Sequence, residues 1–191
     1  MSKKTLYGQT HSRVVTPKTG VRSSGRFIDR EALAFIKTKR ESELISLVWK
    51  DDTYHKYLVT SKHARVRKAV AATSTKYHHI LKDDTEWLVR EAVARTSTTY
   101  HDHLVNDEAW QVRKVVAATS TKYHHILKDD TSLWVREAVA SASTTYHAQF
   151  RNDEDWLVRA AVARASRMHH DILSHDKSLV VREAVENYTE E

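Results

Sequence analysis

A Val-Arg pair returns along the chain at a fixed interval, as Val66-Arg67, Val89-Arg90, Val112-Arg113, Val135-Arg136, Val158-Arg159 and Val181-Arg182, every step being 23 residues. Self-similarity at this period marks a repeat architecture, in which each unit is one supersecondary element that cannot bury its apolar face alone. Other columns keep the register: Val70, Val93, Val116, Val139, Val162 and Val185, and Ala69, Ala92, Ala138, Ala161 and Ala184 with Val115 in the remaining slot. Asp84, Asp107, Asp130, Asp153 and Asp176 each precede the next arginine by six positions. A second order lies above the first, because KAVAATSTKYHHILKDD, beginning at Lys68, nearly recurs 46 residues later as KVVAATSTKYHHILKDD. Duplication of a two-unit block is the simplest origin.

Each unit reads as two helices. Asp84 is an N-cap candidate, and Thr85 to Arg95 puts Val89, Ala92 and Val93 on one face at i, i+3 and i+4. Thr-Ser-Thr-Thr is the turn; Tyr100 and Leu104, four apart, suit a short second helix, in part 3₁₀. Gly8, Pro17, Gly20 and Gly25 are the only glycines and proline in 191 residues, so the rest of the chain reads as helix and short polar turn. The expected fold is all-α: a solenoid of about six 23-residue repeats behind an extended basic N-terminal arm. Expected divisions are an arm over 1–27, a capping helix and degenerate repeat over 28–61, regular repeats over 62–176 and a C-terminal capping helix over 177–191. In the N-terminal cap, residues 29–48 read as one amphipathic helix with Asp29 as N-cap and Ile28 and Leu33 as a hydrophobic staple.

The pattern D-x-x-W-x-V-R-x-A-V-A, followed by a short turn and a leucine as in Asp84 to Leu104, resembles the leucine-rich repeat variant and, more loosely, HEAT-type repeats. The resemblance covers about residues 50–188 and implies a right-handed superhelix of alternating α and shorter helices, with no single function attached. Two departures stand out. Thr-Ser-Thr replaces the family's Asn-Pro and Thr-Pro turns, and no cysteine cluster precedes the array, which excludes an iron–sulfur role.

The net charge of +6 is unevenly placed: residues 1–40 balance at +8 and residues 41–191 at −2. Lys3, Lys4, Arg13, Lys18, Arg22 and Arg26 make the arm the expected partner-binding element, and Pro17-Lys18-Thr19-Gly20 lets it form a hairpin or add a strand to a partner. His55, His78, His101, His124, His147 and His170 occupy one column and admit three readings: capping or interface hydrogen bonds, a ligand-facing row, or metal ligands. Stacked helices lie about 8–10 Å apart whereas zinc ligands each reach the ion at about 2 Å, so equivalent histidines of adjacent units do not share a metal. The Arg and Asp columns read as a ladder of charge-assisted hydrogen bonds between units, except that Arg67, with Ser61 in its Asp slot, is left for a ligand. Trp87, Trp110, Trp134 and Trp156 read chiefly as packing between units, with base stacking the other possibility; Trp134 is one position out of its column, where Leu133 stands.

Catalysis needs an asymmetric constellation, and this chain offers the same residues repeatedly, without cysteine, phosphate loop or serine elbow. No enzyme, catalytic residue, metal or cofactor is therefore expected. The leading expectation is a scaffold or assembly protein that binds a protein partner through the solenoid and anchors in a larger complex, of virion or ribonucleoprotein type, through the arm. The alternative is a nucleic-acid-binding solenoid using the arm and the tryptophans. No long apolar run and no secretory leader is evident, so an intracellular, cytoplasmic setting without a membrane is expected. Oligomeric state is not legible.

Overall fold

The structure, a computed structural model, describes residues 25–189, and side chains from residue 30 onward. The described residues are helical throughout. Helix α1 (Gly25–Lys37) and α2 (Glu41–Lys50) open the array. Five ten-residue helices then recur in register, α4 (Ala64–Thr73), α6 (Trp87–Thr96), α8 (Trp110–Thr119), α10 (Leu133–Ala142) and α12 (Trp156–Ala165), before α14 (Leu179–Glu186). Between them lie one-turn helices, α3 (His55–Leu58), α5 (His78–Leu81), α7 (His101–Leu104), α9 (His124–Leu127), α11 (His147–Phe150) and α13 (His170–Leu173), each entered through a three-residue 3₁₀ turn. Each long helix packs on the next, and the short helices form a second layer against them.

The core runs unbroken between the layers. Val66, Val70 and their equivalents through Val181 are fully buried beneath Leu58, Leu81, Leu104, Leu127, Phe150 and Leu173, one from each short helix, and Val185 at the end is partly buried. Ala71, Ala94, Ala117, Ala140 and Ala163 are also buried, and their small side chains let the short layer come close to the long helices.

Absence of glycine is explained at the end of each long helix. Thr73 Oγ1 donates to the Ala69 carbonyl at 2.8 Å, and Ser74 N–H closes the last turn on Val70 at 3.0 Å. Ser74 then takes φ −146° and ψ 113°, and Ser97, Ser120, Ser143 and Ser166 are likewise extended. An extended exit needs no positive φ, so serine serves where a left-handed cap demands glycine. Ser97, Ser143 and Ser166 also accept a backbone N–H two residues on, which starts the 3₁₀ turn.

Three sequence expectations about boundaries are corrected. The helix expected from Thr85 begins at Trp87, with Glu86 at the cap. Asp84 lies two residues earlier, where its Oδ1 accepts Glu86 N–H at 2.9 Å in an Asx turn. The single helix expected over residues 29–48 is two, because Thr38 Oγ1 bonds the Phe35 carbonyl at 2.7 Å and the Glu43 carboxylate accepts Arg40 N–H at 3.0 Å, ending one helix and starting the next. Asp29 lies inside α1, which begins at Gly25, and so is not its cap.

Candidate binding edge along the repeat array

The arginine column is spent internally from Arg67 to Arg159; among the described residues Arg182, the last, holds only the Asp176 carbonyl, at 2.7 Å. Arg90 donates Nε and Nη2 to both Asp107 carboxylate oxygens, at 2.7 and 2.8 Å, and Nη1 to the Asp84 carbonyl at 2.7 Å. Thus the carboxylate comes from the following unit, 17 residues on, and the aspartate six residues earlier contributes only its backbone oxygen. Arg113–Asp130, Arg136–Asp153 and Arg159–Asp176 repeat this bidentate rung. Arg67, expected to be left for a ligand, holds Asp84 through two bonds of 2.6 and 2.8 Å and the Ser61 carbonyl at 2.7 Å. Ser61 lacks a carboxylate, yet the rung needs only its carbonyl.

Two rungs also lower the pKa of their aspartates, Asp84 and Asp176. Hydrogen bonds from Arg159 hold Asp176 below the usual carboxylate range against the opposing effect of burial. At Asp84 burial is the largest influence and acts upward, but the Arg67 and Glu86 hydrogen bonds with the charges of Arg67 and Arg90 together bring the carboxyl down. A carboxyl depressed in the folded state adds stability that is complete above its unfolded value, about 3.9, and disappears as pH falls through the folded value. The thermal midpoint should accordingly hold near neutrality and drop below about pH 4; a level midpoint from about pH 5 to pH 3 would contradict this.

The histidine column faces inward. His55, His78, His101, His124 and His147 are buried, and His170 is half-buried. Each Nε2–H donates to a carbonyl seven residues earlier, Val48, Ala71, Ala94, Ala117, Ala140 and Ala163, at 2.8–2.9 Å. These carbonyls lie in the last turn of each long helix, where intrahelical partners run out. The ligand-facing reading is corrected for the five buried rings, which are caps with Nε2 committed and the ring enclosed; half-buried His170 makes the same bond. Tyrosines of the next unit pack edge-on against three of them, as in His101–Tyr123 at 6.1 Å. Among the described residues no group of three or more histidine, aspartate or glutamate side chains is arranged to hold a metal.

Of the register breaks, Phe150 is fully buried and His169 replaces the column's tyrosine. Arg151 Nη1 lies 3.3 Å from His169 Nδ1, and burial first, then the Arg151 charge, lower the His169 pKa. The alternating column is paired as its signs suggest, Lys68 with Glu91 at 3.5 Å and Lys114 with Glu137 at 3.3 Å. The short layer adds ties of its own, from Tyr123 and Lys122 to Asp102 and from Gln149 to Asp129.

Four tryptophans of the repeats stay partly exposed. Trp87, Trp110 and Trp156 are the first residues of their helices and Trp134 the second of α10, so all four stand along one edge of the long-helix layer. They remain 37–41% exposed, and the packing between units expected of them is seen for Trp110 and Trp134. The one-position shift of Trp134 brings it onto Trp110, with centroids 6.1 Å apart and ring planes at 25°. Lys114 Nζ lies 5.4 Å from the Trp134 ring centre. Trp87 and Trp156 flank this stacked pair, one at each side. Acidic residues precede three of the four in sequence, Glu86 before Trp87, exposed Glu108 two before Trp110, and exposed Glu154 with half-buried Asp155 before Trp156, while Lys114 lies by Trp134 and exposed Arg65 is the second residue of α4. Glu108 and Glu154 side chains are 85% and 88% exposed even though each reaches an arginine, Arg90 and Arg136.

The arm residues Lys3, Lys4, Arg13, Lys18 and Arg22 lie outside the described residues, as does the side chain of Arg26. No described helix is long and apolar enough to cross a membrane.

No family model matches the sequence, and no curated protein is similar to it in sequence. The fold has a counterpart among solved structures: a leucine-rich repeat variant, described as having a novel repetitive structural motif, superposes with a TM-score of 0.67. The superposition covers 83% of this chain and 70% of the other at 22% identity, and shows the repeat solenoid expected from the sequence.

Proposed function

We propose that this is a non-catalytic scaffold that holds a partner polypeptide along its tryptophan edge. The observation that carries the reading is the contrast within the repeat. The arginines from Arg67 to Arg159 and the aspartates they hold are tied between units, and the column histidines cap helix ends through Nε2, whereas four tryptophans stay about 40% exposed in a row. Aromatic side chains supply large contact area at small entropic cost and are enriched at protein interfaces. Acidic neighbours disfavour a phosphate backbone on this edge, which sets the protein-binding reading above the nucleic-acid one for the array. The basic arm, with Lys3, Lys4, Arg13, Lys18 and Arg22, then serves as the anchor to a larger assembly.

Selection of short random peptides on the full-length chain tests the reading. Selected peptides should shift tryptophan emission on binding, and Trp87→Ala with Trp156→Ala should weaken them at least about tenfold while the helical circular dichroism is kept, which corresponds to about 1.4 kcal/mol. The reading fails if binders ignore the tryptophans, or if duplex nucleic acid binds instead with a steep salt dependence lost in the tryptophan variants.

A further inference from the structure

We infer that two copies of the chain join end to end through α14, packed antiparallel about a twofold axis so that Arg182 of each copy meets Glu186 of the other. The inference does not depend on the tryptophan edge. Three features of the last unit lead to it.

An open guanidinium fork comes first. Arg182 Nη1 donates to the Asp176 carbonyl at 2.7 Å, the bond that Arg67, Arg90 and Arg113 make at the same length to the carbonyl six residues before them. In each of those rungs the guanidinium so anchored turns Nε and Nη2 onto the carboxylate of the following unit. At Arg182 these two donors meet no acceptor among the described residues. A planar fork already fixed through its third nitrogen is a preformed seat for a carboxylate.

The way the repeat closes comes second. Exposed Glu186 stands in the column where Ala71, Ala94, Ala117, Ala140 and Ala163 are buried. Tyr188 packs edge-on against His170, with centroids 5.0 Å apart, and so fills from 18 residues on the seat that Tyr123, 22 residues on, fills against His101. This face is therefore not built for another repeat, whose short helix would bury the Glu186 carboxylate. It is left only partly covered: Arg159 and Val162 are buried, whereas their counterparts Arg182 and Val185 are half-buried. The opposite end of the array offers the fork nothing, since Thr38 and Ser61 occupy the aspartate column there.

Self-complementarity comes third. Arg182, Val185 and Glu186 lie at i, i+3 and i+4, on one face of α14. No ion pair joins Arg182 to Glu186 within the helix, because the bond to the Asp176 carbonyl draws the guanidinium toward the helix start, away from the residue one turn on. Arginine ahead of glutamate is also the weaker order for such a pair. A cation and a carboxylate on one stripe match the same stripe turned over, so a twofold axis beside Val185 sets each against its opposite, as in an isologous dimer. Val185 and Leu179, 58% exposed, supply apolar contact. Glu183, the other exposed acid of the helix, borders the groove shared with Arg164 and Asn187.

Sedimentation equilibrium of the full-length chain tests the inference. The parent should be a dimer. Arg182→Glu and Glu186→Arg, each alone, put like charges across the axis and should weaken dimerisation at least about tenfold with the helical circular dichroism kept. Mixed together, the two variants should pair at about the parent affinity, because one presents two carboxylates and the other two cations. A role confined to one helix cannot give that recovery, since neither chain regains its own pair. Glu186→Gln, which leaves the Arg182 bond to Asp176 in place, should weaken the dimer as well and guards against a folding defect in the arginine variant. A monomeric parent, single variants as dimeric as the parent, or no recovery on mixing overturns the inference. So does a dimer that forms only when Glu190 and Glu191 are changed to glutamine, which would assign the fork to the chain's own tail.

Discussion

Replacing Arg159 with alanine should lower the free energy of unfolding by about 3–5 kcal/mol, the cost of leaving one member of a buried ion pair without its partner. The Arg159 and Asp176 side chains are 5% and 8% exposed, so the orphaned carboxylate keeps only Ser178 N–H, at 2.8 Å, in place of the guanidinium fork. The Asp153 and Glu154 carbonyls lose a donor in the same step. Chemical denaturation with circular dichroism measures the effect. Replacing Arg159 and Asp176 together by leucine and alanine should recover much of the loss, because no charge is then stranded. A single variant within about 1 kcal/mol of the parent would mean that the rungs are screened like surface pairs and do not hold the units together.

His101→Ala should be comparably damaging, at about 3–5 kcal/mol, since it leaves the Ala94 carbonyl buried without a donor and opens a cavity against Tyr123. The position matters as well as the magnitude. His101 lies in the third of six short helices, and a solenoid is held by nearest-neighbour interfaces, so weakening a central one divides the array. Denaturation should then broaden or split into two steps. His125→Ala, at an exposed site, is the control and should change stability by no more than about 0.5 kcal/mol. If the two substitutions were equal, the ring would not be acting as a cap.

Legibility in the sequence follows the range of the interactions. The fixed recurrence of Val66-Arg67 is enough to give the units and their stacking, because burial of Val66 and Val70 repeats whatever the surface does. Capping by histidine was one of three open readings of its column. The bond from His78 to the Ala71 carbonyl joins the short helix to the end of the long one across the turn, and no helical periodicity shows it. The break near Arg40 was hidden for a related reason: Glu43 caps a residue that is not serine, threonine, aspartate or asparagine, so the usual start signature is missing. Tryptophan exposure was the hardest to read. Apolar character alone puts Trp87 and Trp156 in an interface, and only their place at the first residue of each helix leaves them on the edge. Serine at position 61 hides the Arg67 rung, because its carboxylate comes from Asp84 of the following unit and only one of its three bonds goes to position 61, to a carbonyl that any residue supplies.

One consequence of the rungs concerns growth of the chain. Each rung joins residues 17 apart, and the ties of the short layer join residues 20 or 21 apart, however many units the array holds. Inserting a further 46-residue block would lengthen the molecule without lengthening any loop that must close, so the barrier to folding should not rise with it. Such a block would also extend the aromatic edge in register. The length of that edge is then a matter of repeat number: the protein can be resized by recombination between its own repeats, with each junction already tested by the one beside it.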